Sequence, residues 1–345
     1  MPRELVAMEP RKPVLRSYTE IEPGPGEVRV LVEYGAPKHG SEMQAFQGVD
    51  PFLSSRLDPE MLLFLDDDTA KSKPFYLELG NICVGVVSDL GPGVTDVKEG
   101  QRVAIYRHLR ETHVVKTSSL LLMNDRMTWK EAVCYDPSHF ALAGIRDGHV
   151  RVGDAVAVFG LGAIGLLTAQ LAKIAGASFV AVIDPIAKRR EAALKCGADL
   201  AIDPMSEDAG LQLKLATGKR GVDVAIETSA SYAALQQAIR GVAYGGNVAV
   251  VGWYQECKGG LNLGREAHFN QPNLIFSRAV SSPNRDYPRW DWNRTLRTCW
   301  TLLEDGRLRC EEIVDPVVPF AQSAEAYLDI ERHPEKSVKL GVSFV

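Results

Sequence analysis

The hydrophobic period of the chain changes near residue 128. Upstream, apolar and polar residues alternate in short runs punctuated by glycine and proline: EVRVLVEYG (27–35), NICVGVVSDLG (81–91), GQRVAIY (100–106) and THVVKT (112–117). Period-two runs between turn residues predict an antiparallel, β-rich unit. Thr128-Trp129-Lys130-Glu131 then has the spacing of a capping box, which predicts a helix start, and a second helical segment runs from about Ser138 to Gly148. From 152 to about 277, strand-like runs (VAVFG, FVAVID, DLAID, DVAIETS, NVAVVGW) alternate with helical patterns (LTAQLAKIAGA, KRREAALKCGA, SYAALQQAIRGVA). That alternation predicts a parallel, doubly wound sheet. A polar, aromatic loop SSPNRDYPRWDW (281–292), a helix and a strand-rich tail follow. The tail is too short for a domain and is expected to return to the first unit. The fold class read here is α/β, a doubly wound parallel sheet inserted into a β-rich unit, with segments 1–147, 148–280 and 281–345.

One segment carries chemistry by its spacing. Residues 156–184 read VAVFGLGAIGLLTAQLAKIAGASFVAVID: a strand, a glycine turn, a helix, a second strand and an acid at its end. Gly160 permits the tight turn, Gly162 lets a pyrophosphate approach the backbone, and Gly165 lets the helix pack close to the strand. The helix start, through Ala163 and Ile164, offers amides to phosphate. Asp184 stands where a carboxylate accepts the hydroxyls of an adenosine ribose, which favours NAD over NADP because a 2′-phosphate would meet a like charge. Lys188 and Arg189 could clamp a 2′-phosphate, but a cation there equally suits the 3′-hydroxyl. The implied chemistry is redox.

Composition narrows the class. At 345 residues with net charge −5 the chain is long enough for two cored domains, and no basic run with interleaved aromatics points to nucleic acid. No apolar stretch approaches a membrane span, and MPRELVAMEPRKP has no signal-peptide core, so a cytoplasmic protein is expected. Six cysteines (Cys83, Cys134, Cys196, Cys257, Cys299, Cys310) are scattered without a CxxC pair, the pattern of buried reduced thiols.

The chain resembles the medium-chain dehydrogenase/reductases, the superfamily of alcohol, sorbitol and threonine dehydrogenases and quinone reductases. The likeness runs through GPGEVRVLVEYGAPKHGSE, LELGNICVGVVSDLGPGVTDVKEGQRVA, the glycine-turn unit, DVAIETSA and GGNVAVVG. It implies a GroES-like β-rich catalytic domain holding a Rossmann domain, with substrate and nicotinamide meeting in a cleft, and a homodimer or homotetramer. Ser229, Gly252 and Trp253, at the ends of the DVAIETSA and GGNVAVVG segments, are then expected beside the cofactor.

Departures from the family pattern are more informative. The family's metal-binding Cys precedes a Gly-Ser-Asp-like run; here His39 precedes Gly40-Ser41-Glu42, and the Gly-His-Glu triplet is Gly80-Asn81-Ile82. Asp136-Pro137 matches a third ligand position. Asn81 is a weak donor and Ile82 none, whereas catalytic zinc needs three good protein ligands. The four-cysteine metal lobe is also missing between Ile105 and Val114. The expectation is an enzyme with no metal site, in which His39 handles the hydroxyl proton and Asp136 orients it, Lys38 being the competing acid/base. Ser41 matches a relay hydroxyl whose partner histidine is replaced by Gln44.

Substrate contacts are expected from Asn81, from Arg107, His108 and His113 where the metal lobe is missing, and from Arg285 and Tyr287 of the 284–290 loop, whose composition suits a hydroxylated ring. A solvated loop or an oligomer contact would use the same residues. The resulting function is hydride transfer between NAD and a secondary alcohol or ketone, expected to be a sugar, polyol or cyclitol. A zinc-free enone or quinone reductase and a non-catalytic NAD(H)-binding sensor are the alternatives; a fainter likeness to the bacteriochlorophyll-pathway hydroxyethyl dehydrogenases keeps larger substrates open.

Overall fold

The computed structural model describes residues 1–38, 40–255 and 260–345. The chain divides into two compact units, one of Met1–Asn124 with Pro316–Val345 and one of Asp125–Asp315.

The first unit is built from β1 (Arg3–Ala7), β2 (Pro13–Ser17), β3 (Glu27–Ala36), α1 (Ser41–Gln47), β4 (Ser55–Leu57), β5 (Phe64–Asp66) and α2 (Asp68–Lys71). β6 (Leu77–Glu78), β7 (Ile82–Leu90), β8 (Arg102–Ile105), β9 (Thr112–Lys116) and β10 (Leu121–Leu122) follow. Alternation along β3 turns Val28, Val30 and Val32 inward, as the period-two reading requires. These valines join Leu5, Phe46, Leu79, Ile105 and Leu109 in one core. Each such side chain removed from water is worth about 1.5–3 kcal/mol. The β1–β2 hairpin, with register Arg3↔Ser17 to Ala7↔Pro13, lies outside the runs that the sequence pattern picks out.

The second unit opens with α3 (Trp129–Val133) and α4 (Tyr135–Asp147). The expected capping box is present: the Thr128 amide donates to Glu131 Oε2 at 2.9 Å. Then come β11 (Ala155–Phe159), α5 (Ala163–Ile174), β12 (Phe179–Ile183), α6 (Ala187–Lys195), β13 (Leu200–Ile202) and α7 (Ala209–Ala216). β14 (Val222–Glu227), α8 (Tyr232–Gly241), β15 (Val242–Val250), α9 (Glu266–Asn270), β16 (Asn273–Phe276) and α10 (Trp292–Glu304) complete it. Its six strands run parallel in the order β13-β12-β11-β14-β15-β16. This is the doubly wound Rossmann order, with its topological switch between β11 and β14. β11 is buried at all five positions, as a strand covered on both faces must be.

β17 (Val314–Pro319), α11 (Ser323–Arg332) and β18 (Lys339–Ser343) carry the return. β18 pairs antiparallel with β3, Val342 opposite Gly35 and Ser343 opposite Tyr34, so this tail does complete the β-rich sheet. The division of the chain differs from the sequence reading at 147/148 and 280/281: residues 125–147 and 281–315 go with the parallel sheet. Packing explains this, since α4 lies along α5 and against α10 and β15. The five described cysteines are free and buried; Cys257 lies outside the described residues. No helix among the described residues is long and apolar enough to cross a membrane.

Candidate active site

The three turn glycines fall into three different physical situations. Gly160 has φ +83°, and a Cβ there would stand 2.6 Å from the Ser229 Cβ. A Cβ on Gly165 would lie 1.8 Å from Gly160 O, which fixes how closely α5 approaches the turn. At Gly162 nothing lies within 4 Å of a Cβ, so an open cradle faces the helix start. Gly162 is the N-cap of α5 and supplies no side-chain cap, leaving first-turn amides at Ala163 and Ile164 for a ligand.

Asp184 closes this cradle at the tip of β12. Its residue is 3% exposed; Oδ2 accepts the Leu161 amide at 2.7 Å and Oδ1 the Ile186 amide at 2.8 Å. Each oxygen keeps a further lone pair for a hydroxyl. Arg189 Nη1 is 3.9 Å from Oδ2; burial lowers the Arg189 pKa, and the Asp184 charge opposes that shift. An open glycine turn, free helix amides and a buried terminal acid fit a dinucleotide, which Gly160–Gly165, Asp184 and Arg189 would hold.

The sequence reading missed a second acid of the same sheet. Glu227, fully buried at the end of β14, accepts the Ser229 amide at 2.7 Å, the Ala230 amide at 3.2 Å and the hydroxyls of Ser229 and Tyr254. Gly252 donates its amide to Glu227 O at 3.0 Å. Ser229 and Gly252, both expected near the cofactor, are thus set by Glu227, whose pKa burial raises against the pull of its donors. Trp253, 40% exposed, follows directly. The available signal was an acid ending an apolar strand, the same signal that found Asp184.

Asp136 sits in the first turn of α4, buried, where the helix dipole favours a carboxylate. One turn on, His139 packs edge-on to Tyr135 at 4.3 Å and Trp292 at 5.2 Å. The 284–290 loop is largely bonded to its own unit. Arg285 donates to Phe276 O at 3.1 Å, Asp286 pairs with Arg146, and the guanidinium carbons of Arg146 and Arg294 lie 3.6 and 4.3 Å from the Trp290 ring centre. Tyr287 is exposed.

In the β-rich unit, His39 falls outside the described residues. Lys38 donates its amide to Glu42 Oε2 at 3.0 Å, Ser41 begins α1, and the Asn81 amide donates to Ala36 O at 3.0 Å. Arg107, His108, Arg110, Thr112 and His113 border a cavity of about 290 Å³. His108 is no free arm over that cavity: Nε2 lies 3.1 Å from Glu4 Oε2 and Nδ1 3.3 Å from Glu78 Oε2. Burial pushes the Glu4 pKa up, but hydrogen bonds from Arg16 and His108 outweigh it and hold the carboxyl below its ordinary value.

The family described as zinc-binding dehydrogenase matches residues 163–292. The D-guloside 3-dehydrogenase of Escherichia coli K12 is 46% identical over 99% of this chain and 100% of its own length. Among solved structures, the 2R,3R-butanediol dehydrogenase of Bacillus subtilis superposes with TM-score 0.77 at 20% identity, over 99% of each chain. An alcohol dehydrogenase from E. coli CFT073, complexed with NADH, does so with TM-score 0.75 at 19% identity, again over 99% of each. With the fold shared throughout and close identity along its whole length, the chain belongs to the medium-chain dehydrogenase/reductase superfamily, as an oxidoreductase of the alcohol and polyol dehydrogenase type.

Proposed function

We propose that the protein is an NAD-linked dehydrogenase that works without a catalytic metal and oxidises a secondary hydroxyl on a sugar ring, the substrate class named by its 46%-identical D-guloside 3-dehydrogenase relative. The observation that carries the cofactor choice is Asp184, a buried carboxylate bonded to the glycine turn through both oxygens. It accepts ribose hydroxyls and repels a 2′-phosphate. When bound, NAD⁺ supplies the hydride acceptor, so that the alcohol becomes a ketone with release of one proton.

This chain's residues manage that proton. His39 takes it from the substrate hydroxyl, Asp136 orients the imidazole and stabilises its charged form, and Ser41 passes the proton outward; Lys38 is the competing base. Asn81, Arg107, His108, Arg285 and Tyr287 supply substrate contacts, and Glu4 and Glu78 hold the His108 ring beside Arg107. The zinc-free reading rests on ligand chemistry: Asn81 and Ile82 stand where a metal needs strong donors. The enzyme works as a homodimer or homotetramer in the cytoplasm.

The test is NADH formation by chelator-treated protein with methyl D-guloside, against NADP and against His39→Ala. Chelator-resistant turnover that prefers NAD and falls by about 10²–10⁴-fold in His39→Ala is expected. Activity that returns only with added zinc, or equal use of NADP, overturns the respective part.

A further inference from the structure

Two turns of the β-rich unit carry groups assigned above to proton handling and substrate contact: one with Lys38 before it and Gly40-Ser41 after, and 79–81, with Asn81. One carboxylate spans both. Glu42 Oε2 accepts the Lys38 amide at 3.0 Å, while Oε1 accepts the Gly80 amide at 3.1 Å and the Tyr327 hydroxyl at 2.6 Å. Glu42 is part-exposed as a residue, but its carboxylate lies inward, where burial raises its pKa against these donors and the nearby Lys339 charge.

The surroundings hold that carboxylate from the far side. Tyr327 is fully buried on α11, edge-on to Phe46 of α1 at 6.0 Å. Lys339, 3% exposed at the start of β18, donates to Pro37 O at 2.6 Å. An acid in the first turn of a helix ordinarily serves its own helix amides. Glu42 instead reaches back to Lys38 and across to Gly80, so helix capping does not account for it.

We propose that Glu42 is a positioning residue that locks Pro37-Lys38 to the 79–81 turn, with Tyr327 and Lys339 as its supports. The role rests on the reading that these two turns serve the reaction. It gives the side chains on both turns one fixed spacing, and a displacement of about 1 Å there costs up to about 10²-fold in rate.

Glu42→Gln tests this sharply. The amide oxygen can still accept from Gly80 and Tyr327, but its NH₂ then faces the Lys38 amide, donor against donor. Hydrogen-exchange mass spectrometry of the full chain is expected to show the Lys38 and Gly80 amides, one in each turn, losing protection together in Glu42→Gln and Glu42→Ala, with 155–184 unchanged. With methyl D-guloside, kcat is expected to fall about 10–100-fold while the KM for NAD stays constant. Tyr327→Phe, which removes one of three donors, should move both readouts less, in the same direction. Exchange that rises in only one turn or in neither overturns the lock. A kcat within twofold of wild type, in a folded Glu42→Gln protein, overturns the positioning role. If wild type itself fails to oxidise the guloside, the substrate reading fails alone, and the exchange data still decide the lock.

Discussion

Asp184 Oδ2 accepts the amide of Leu161, 23 residues earlier in the chain, at 2.7 Å. The acid proposed to read a cofactor's ribose and the glycine turn proposed to cradle its phosphates are therefore one mechanical piece. Asp184→Ala leaves the Leu161 and Ile186 amides without this acceptor, a loss of about 1–3 kcal/mol for each if buried. Stability and NAD affinity should fall together. Asp184→Asn keeps an acceptor but loses the charge, so NADH titration by fluorescence should show weaker NADH binding and gained NADPH binding. Unchanged discrimination would remove Asp184 from cofactor selection.

Gly162 and Gly165 separate binding from folding. Gly165→Ala drives a methyl into Gly160 O and is expected to lower Tm strongly. Gly162→Ala meets no protein atom and its backbone, φ −69°, suits alanine. Calorimetry should find a near-normal Tm for Gly162→Ala with NAD affinity reduced about tenfold or more, the inverse of a structural defect.

His113 makes the β-rich unit sensitive to acid. Burial, with nearby positive charge, pushes its pKa down from 6.5 to about 3, and its Nε2 lies 3.0 Å from His108 O. The unfolded chain takes up this proton near pH 6.5 while the folded one does not. The stabilisation is complete above pH 6.5 and drains away as pH falls towards about 3. Urea unfolding at pH 7 and pH 5 should show a smaller loss for His113→Gln than for wild type.

Glu227 has the opposite sign. Its folded pKa is raised, so its contribution is full below the ordinary glutamate value of 4.5 and declines as pH rises through the folded value. Subtracting the pH profile of Glu227→Gln from that of wild type should leave a slope falling with pH above 4.5. A flat difference would mean that the Ser229 and Tyr254 hydroxyls compensate fully.

The nucleotide unit was legible because its signals are local. A glycine turn, two apolar strands and an acid at the right distance are all visible in 29 consecutive residues, 156–184. The capping box at Thr128 and Glu131 belongs to the same class. Glu227 carried the same local signal and was passed over; the rest of what escaped reading was non-local. Glu42 stood inside a quoted run, yet its partners Gly80 and Tyr327 are 38 and 285 residues away. His108 read as a substrate contact or a solvated loop residue, but Glu4, 104 residues earlier, draws it inward. The assignment of α4 and α10 to the parallel-sheet unit depends on helix packing that no spacing rule encodes.

The pairing of β18 with β3 also orders events in time. Lys339 and its acceptor Pro37 are separated by 302 positions, and the whole parallel-sheet unit is synthesised between them. That unit can finish its own hydrophobic core while the ribosome still withholds the strand the other unit waits for. Until then, the edge of β3 that β18 will take stands open to any passing strand, the exposure that long-range pairing entails. Birth order thus lets the parallel-sheet unit complete its core before the β-rich unit can close its sheet.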